Sequence, residues 1–579
     1  MTPMNPRYIV CCASVLVLAD ALAQEQLSKE ITIEREIVPE VRAASRLNVY
    51  PRALSFKPQV KSLLISDFTE AAQSDPTISL YEPANTSPAA MPTPWRGYLD
   101  AGYFPAANVG VSAGYSIIGN NVTRLNIWGQ LDNRSYKSAP LSEGTKETFR
   151  HLIGRIGVDF AHVFGEAGKL DVATDFGFSS FNQPWSVIEK SLNDGDGKIE
   201  GQSVAEWNLS AMWKGSANHK LNYHAGASFG IFNFSKGLEM ESLNATAPGT
   251  AALPETITLP AVHQTSFGID MGVVQQINAA SSAGVDLTGD LLSYNHFAAG
   301  SGKAFGVGTL KPYYRFGNDV VTLKAGVRLD LTMNCGKAVH VAPDVLFGVN
   351  PASGFGGWLR LGGGEHLNSL QSLQAFSPYI SQLYAYGVSH MPVTGDLGLR
   401  FGPVHGASLT LKLAYASAND WLLPVIADNQ LLFSGCNLRS WKAGAQLNWK
   451  FREIVVLEAS FESTLGNGEK DTWIEWRDRA RHVLGASATV TPISPFSVTL
   501  SYQMRMKRSM PVWDGVIADV PAEVGLEDVN NLGIGAAWKF TDALSVFARV
   551  DNVLDSESYL LPLVPAQGLN GLVGVAWKF

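Results

Sequence analysis

From Gly97 to the C-terminus, apolar and polar residues alternate with a period of two, the signature of strands whose two faces meet different surroundings. In Phe496–Lys507, Phe496, Val498, Leu500, Tyr502, Met504 and Met506 share one face, while Ser497, Thr499, Ser501, Gln503, Arg505 and Lys507 share the other. Twelve residues is long for a strand of a soluble sandwich. The length suits a tilted strand crossing a bilayer, apolar toward lipid and polar toward a wet interior. Trp441–Phe451 repeats the pattern, and Val455–Glu462 and Val321–Asp330 repeat it again, with charged side chains at alternate positions. A lipid face does not tolerate such charges, so they must point into a lumen. The expected fold is all-β: a transmembrane antiparallel β-barrel.

The connections alternate too. Short turns fall at Gly119–Asn121, Glu166–Lys169, Gly317–Asp319, Gly402–His405, Arg452–Ile454, Pro492–Pro495 and Thr541–Ala543. Longer, loop-like stretches lie between them at 180–203, 235–263, 364–392, 417–440, 507–529 and 552–570. Tight periplasmic turns and long extracellular loops organise bacterial barrels, and counting back from the C-terminus gives about 22 strands, an even number.

One triplet marks the strand ends. Trp449-Lys450-Phe451, Trp538-Lys539-Phe540 and Trp577-Lys578-Phe579 close strands that precede a short turn or the chain end; Tyr314-Arg315-Phe316 holds the same place and Leu399-Arg400-Phe401 is a weaker copy. Aromatic rings favour the headgroup boundary. Trp449, Phe451, Trp538, Phe540, Tyr314 and Phe316 are therefore expected to form a periplasmic girdle, with the cations between them facing inward.

Composition agrees with a membrane barrel and restricts its partners. The chain has 579 residues, 46% hydrophobic and 17% charged, too apolar for a disordered chain. Arg7, an uncharged run from Tyr8 to Ala19 and then Ala21-Leu22-Ala23 describe a signal peptide over 1–23, cleaved before Gln24. Residues 24–96 are mixed and then proline-broken, and read as an extended periplasmic arm ahead of a barrel over 97–579. Beyond Gln24 no apolar run reaches the ~18 residues of a membrane helix. A net charge of −8 offers no basic surface for nucleic acid. Past the leader only Cys335 and Cys436 remain, too few for a disulfide framework. Two separate thiols are favoured over a bridge, which the sequence leaves open.

The last residues, Gly574-Val-Ala-Trp577-Lys-Phe579, resemble the C-terminal signal of outer-membrane barrels, in which a glycine stands three before an aromatic and the chain ends on Phe. The resemblance implies that Gly574, Trp577 and Phe579 are read by the barrel-assembly machinery. Ala548-Arg-Val-Asp-Asn552-Val-Leu-Asp555, with Tyr559 beyond it, resembles the segment before the last external loop of TonB-dependent receptors, and Leu323–Asp330 looks like one of their barrel strands. The likeness covers 97–579 and implies a transport or receptor role. It fails at 24–96, about half the length of the plug such receptors carry. Glu30–Ile37 is similar to a TonB box, a strand offered for edge pairing, but an ordinary periplasmic strand or linker is the favoured reading of so short a stretch.

Candidate chemistry is sparse. Asp194–Glu200 resembles part of a calcium loop, but alignment on Gly197 puts Leu192 and Ser203 at the first and last ligand positions. The 11 histidines include no His-Glu-x-x-His, and no Gly-x-Ser-x-Gly elbow occurs. No catalytic residue, cofactor or metal ligand is expected, and the chain is read as a non-enzyme. Loop aromatics Trp421, Trp473, Trp476 and Trp513 are placed to stack on a ligand or to pack the loops.

Two functions stay open: a receptor-like transporter, and a structural or assembly subunit of an outer-membrane complex that binds partners through its loops and arm. A lumen this wide needs a filler, which is the arm, the loops, or a second periplasmic or surface protein. Both readings put the barrel among outer-membrane lipids of a Gram-negative envelope, with both termini periplasmic.

Overall fold

The computed structural model describes residues 95–104, 108–138, 145–192, 197–217, 220–242, 255–295, 304–352, 354–382, 387–427, 430–452, 454–468, 480–513, 522–561 and 564–579. The expected leader, arm and Glu30–Ile37 segment lie outside these, as do Asp194, Trp473 and Trp476.

Alternation of this length closes into a barrel of 22 antiparallel strands. The first half comprises β1 Gly97–Phe104, β2 Asn108–Gly119, β3 Thr123–Ser138, β4 Glu147–Val163, β5 Lys169–Asn182, β6 Gly201–Ala217, β7 Leu221–Phe234, β8 His263–Gln276, β9 Ser281–Tyr294, β10 Ala304–Gly317 and β11 Val321–Met333. The second comprises β12 Val339–Ala352, β13 Phe355–Leu367, β14 Val388–Val404, β15 Ala407–Ala427, β16 Gln430–Phe451, β17 Val455–Gly468, β18 His482–Ile493, β19 Phe496–Met506, β20 Val529–Lys539, β21 Leu544–Asp551 and β22 Asn570–Lys578. Among the described residues no helix is long and apolar enough to cross a membrane.

The wall closes where β1 meets β22, with Tyr98–Tyr103 paired against Val573–Lys578. The chain end itself extends this ladder: Arg96 N and Gly97 N donate to Phe579 O at 2.8 and 2.7 Å, and Phe579 N donates to Gly97 O at 3.0 Å. Gly574 lies at the middle of the seam, opposite Gly102 on one side and Phe547 on the other. A Cβ there would overlap Ala101 O and come within 2.5 Å of the Phe547 ring, so only glycine lets the two neighbours approach.

The alternation sorts side chains as the pattern requires. On β11 and β12, Val327, Leu331, Val339 and Val341 are exposed on the outer face, Val341 at 65%. Arg328, Asp330, His340 and Ala342 face inward and are largely withdrawn from solvent. One rim carries short turns and the other the long connections. The observed turns include one with little sequence signal, at 277–280.

One expected loop is not a loop. Residues 417–440 continue β15 and β16 as a paired hairpin, with Trp421 opposite Cys436 and Ala427 opposite Gln430. The backbone accommodates this through a register shift between Ala418 and Trp421, where Asp420 takes a positive φ of 53°. A further hairpin, Arg508–Trp513 with Ala522–Leu526, leans on the end of β15 through a parallel pairing of Ile426 with Val512.

Candidate functional site

Inside the wall, charges from adjacent strands meet in ladders. Arg155 on β4 pairs with Asp175 on β5 at 3.1 Å and with Glu206 on β6. Lys324 pairs with Asp344 at 2.5 Å and Lys442 with Glu462 at 2.8 Å. These groups keep much of their solvent contact, as expected of a wet lumen, so each pair contributes little on its own.

Toward the long-loop rim the lining turns apolar. Phe149, Phe181, Val204, Phe232, Phe234, Leu292, Tyr294 and Phe305 project from β4 to β10 and join Ile426 and Leu431 of the β15–β16 hairpin in one buried cluster. The loops supply the rest of it. Val187 and Ile188 come from helix α1, Pro184–Leu192, between β5 and β6; Met510, Leu561 and Val564 come from the last two long connections. Leu370, Leu373, Phe376 and Ile380 come from the connection between β13 and β14.

That last connection crosses the mouth. It carries helix α2, Leu370–Phe376, started by a capping box in which Ser369 and Ser372 exchange hydrogen bonds. Gln371 Nε2 reaches Glu206 Oε2 on β6 at 2.9 Å and Asn208 Oδ1 at 3.2 Å, and Leu370 N donates to Gln264 Oε1 on β8 at 2.7 Å. Tyr379 packs edge-on against Phe181 of β5 at 5.4 Å between ring centres. Gln382 bonds Val262 N at 3.0 Å and Lys236 O at 2.8 Å, and Ser381 N donates to Leu431 O at 2.8 Å. A segment rooted on β13 and β14 is thus held by β5, β6, β8 and β16. Of the three fillers weighed for the lumen, inward-folded loops are what the described residues contain.

Beside the roots of this loop lies a group of titratable side chains from three neighbouring strands. His340 Nε2 of β12 and His390 Nδ1 of β14 each lie 2.8 Å from Glu365 Oε1 of β13, and the two imidazole rings are 3.9 Å apart. The Glu365 side chain is 1% exposed. Leu359 of β13 faces outward, and strict alternation would send Glu365 the same way. A bulge between Gly362 and Gly364 turns it inward. Gly364, at φ 118°, sits where a Cβ would collide with the Arg328–Asp330 pair. No local motif marks these residues, because they are 25 positions apart in sequence and meet only through strand register.

The expected signal and girdle residues all lie at or near the turn rim, Gly574 excepted. Trp538, Phe540, Tyr314, Phe451, Trp577 and Phe579 are exposed on the outer face, with Trp449 and Phe316 partly so. The Trp449 and Phe451 rings lie tilted with centres 5.7 Å apart, and those of Trp577 and Phe579 likewise at 4.8 Å. Trp421 does not present itself to a ligand; it packs on Leu423, Cys436 and Leu438. Cys335 and Cys436 are held as thiols and form no bridge.

A closed 22-strand antiparallel wall with short turns on one rim and in-folded loops on the other is the architecture of a transmembrane β-barrel. In fold the chain is similar to the FrpB iron transporter from Neisseria meningitidis (F3-3 variant), with a TM-score of 0.62, 11% identity, and 84% of this chain and 81% of that one covered. It is similar to the copper transporter OprC, with a TM-score of 0.61, 12% identity and coverage of 84% and 81%. It also resembles the ferripyoverdine receptor of the outer membrane of Pseudomonas aeruginosa, with a TM-score of 0.60, 10% identity and coverage of 84% and 72%. No protein-family model matches the sequence, and no curated protein matches it.

Proposed function

We propose that this protein is a transport or receptor barrel of the bacterial outer membrane whose own β13–β14 loop acts as its gate. The observation that carries the reading is the loop's path: it leaves the wall between β13 and β14, is hydrogen-bonded to β6 and β8 and packs against β5 across the mouth. Transporters and receptors of iron complexes and copper among the structures of similar fold support a transport role in general. In this reading Gly574, Trp577 and Phe579 are the positions recognised during assembly, and the strand-end aromatics anchor the periplasmic rim in the headgroup layer.

Conductance of the purified full chain in planar bilayers tests the gate. The intact protein is expected to pass little current, and a variant lacking 370–382 to show large, steady conductance. Equal conductance from both removes the loop as the gate. Co-purification of a stoichiometric partner protein, with no ligand flux through the barrel, favours the complex-subunit reading instead.

A further inference from the structure

We infer that His340, Glu365 and His390 form a binding site for one divalent first-row transition-metal ion, and that the ion fastens the two roots of the loop that crosses the mouth. Two imidazoles and one carboxylate, all from rigid strands, make the donor set that such ions prefer over calcium or magnesium. The three ligand atoms lie within 4.8 Å of one another. Bonds of ~2.1 Å in tetrahedral geometry set ligands ~3.4 Å apart, inside the range these side chains span.

The polar bookkeeping points to an ion as well. Glu365 Oε1 and His390 Nδ1 are buried and make no hydrogen bond of good geometry, although His340 Nε2 and His390 Nδ1 each lie 2.8 Å from that oxygen. They converge on a common position and do not satisfy each other there. A buried carboxylate left in that state costs stability unless a cation meets it. The nearest guanidinium is already engaged: Arg328 Nε holds both oxygens of Asp330, at 2.8 and 2.9 Å, and Arg328 Nη2 donates to Glu365 O at 2.8 Å. Asp330 accepts further from Thr309 Oγ1 at 2.5 Å and from Glu365 N at 2.7 Å. This outer layer fixes the Glu365 backbone and leaves its carboxylate for another partner, the arrangement by which second-layer groups orient metal ligands. Three protein ligands also leave a coordination position open toward the lumen, on the side of His390, the most exposed of the three.

Position gives the site its consequence. Glu365 lies three residues before the loop's first bond across its own neck, Asn368 N to Gly387 O at 2.9 Å, and His390 lies three residues after it. Asn368 Nδ2 also donates to Ser389 Oγ at 3.0 Å. An ion held by Glu365 and His390 therefore clamps the two ends of the same loop, and His340 ties that clamp to the wall. The site itself does not depend on the transport reading.

Zinc titration of the full chain in detergent, followed calorimetrically and repeated with Co2+ to read its absorption bands, tests the assignment. One ion per chain is expected, with tetrahedral-type Co2+ bands. The His340→Ala/His390→Ala variant is expected to lose more than the 10- to 100-fold that removal of an outer-layer group costs. Glu365→Gln, which keeps size and shape, should weaken binding while the circular dichroism stays that of a β-barrel. Hydrogen exchange in 368–382 should slow on adding Zn2+ to the parent protein only. Failure to bind Zn2+ or Co2+ stoichiometrically overturns the site, as does binding that survives the double variant. Binding with no change in loop exchange overturns the fastening role.

Discussion

At the scale of single residues, the seam and the loop depend on groups with little freedom to change. Gly574→Val would push a side chain into Ala101 O and the Phe547 ring, forcing β1 and β21 away from β22. Overpacking of this kind costs about 1–3 kcal/mol. The variant is expected to give a smaller folded fraction on unheated gels and a lower unfolding temperature. Tyr379 offers a pH handle on the loop. Burial pushes its phenol up to about 12, against a smaller pull downward from Arg134. A phenol in water titrates near ~10, so the docked loop favours the neutral form and that contribution is complete below about pH 10. It is lost as the pH rises through the window up to about 12. Protease cleavage within 368–382 should rise over that window in the parent and lose this rise in Tyr379→Phe. A flat profile in the parent would show that the phenol is not held by the cap.

At the scale of elements, alternation made the wall readable and left the loops unreadable. Phe496–Met506 and Val321–Met333 are strands because every second residue is apolar, and the register follows from which face must avoid lipid. The hairpin of β15 and β16 was hidden because Asp420 and the register shift beside it break the period just where the strand continues. The turn at 277–280, Ile-Asn-Ala-Ala, carries neither glycine nor proline, and its signal was correspondingly weak. The inward turn of Glu365 depends on a bulge at consecutive glycines, and the approach of His340 and His390 depends on pairing across three strands. Neither is a local property of sequence. Helix α2 is short and relies on its apolar face for docking, so its truncation should be felt. Phe376→Ala is expected to destabilise the docked loop by about 3–5 kcal/mol, the usual cost of emptying a buried aromatic site. Faster hydrogen exchange in 368–382, with the wall unchanged, would be the signature.

At the scale of the whole molecule, the first and last strands must meet before any lumen exists. β1 pairs with β22 across nearly the full length of the described chain, and Phe579 adds the last hydrogen bonds of that seam. Removing Trp577-Lys578-Phe579 takes away the hydrogen bonds that Arg96 and Gly97 make to Phe579 and the partner of Tyr98. The truncated chain is expected to accumulate as unfolded protein in a refolding assay while the full chain closes. Equal yields would show that the seam needs no contribution from the chain end. The sequence made the strand number and the last strand legible; it could not reveal the crossing loop, because that loop is held by contacts from strands far from its own roots.

That loop is fixed to the wall at both ends, and this decides how it behaves once undocked. A tethered segment remains near its own docking surface at an effective concentration of the millimolar order set by its length, however dilute the protein. Re-closure is then a first-order event needing no partner and no energy source. A ligand opens such a mouth only by the amount that it binds the undocked state better than the docked one. In the gate proposed above, the docked position is the resting one, and each opening lasts only as long as something competes with the loop for its docking surface.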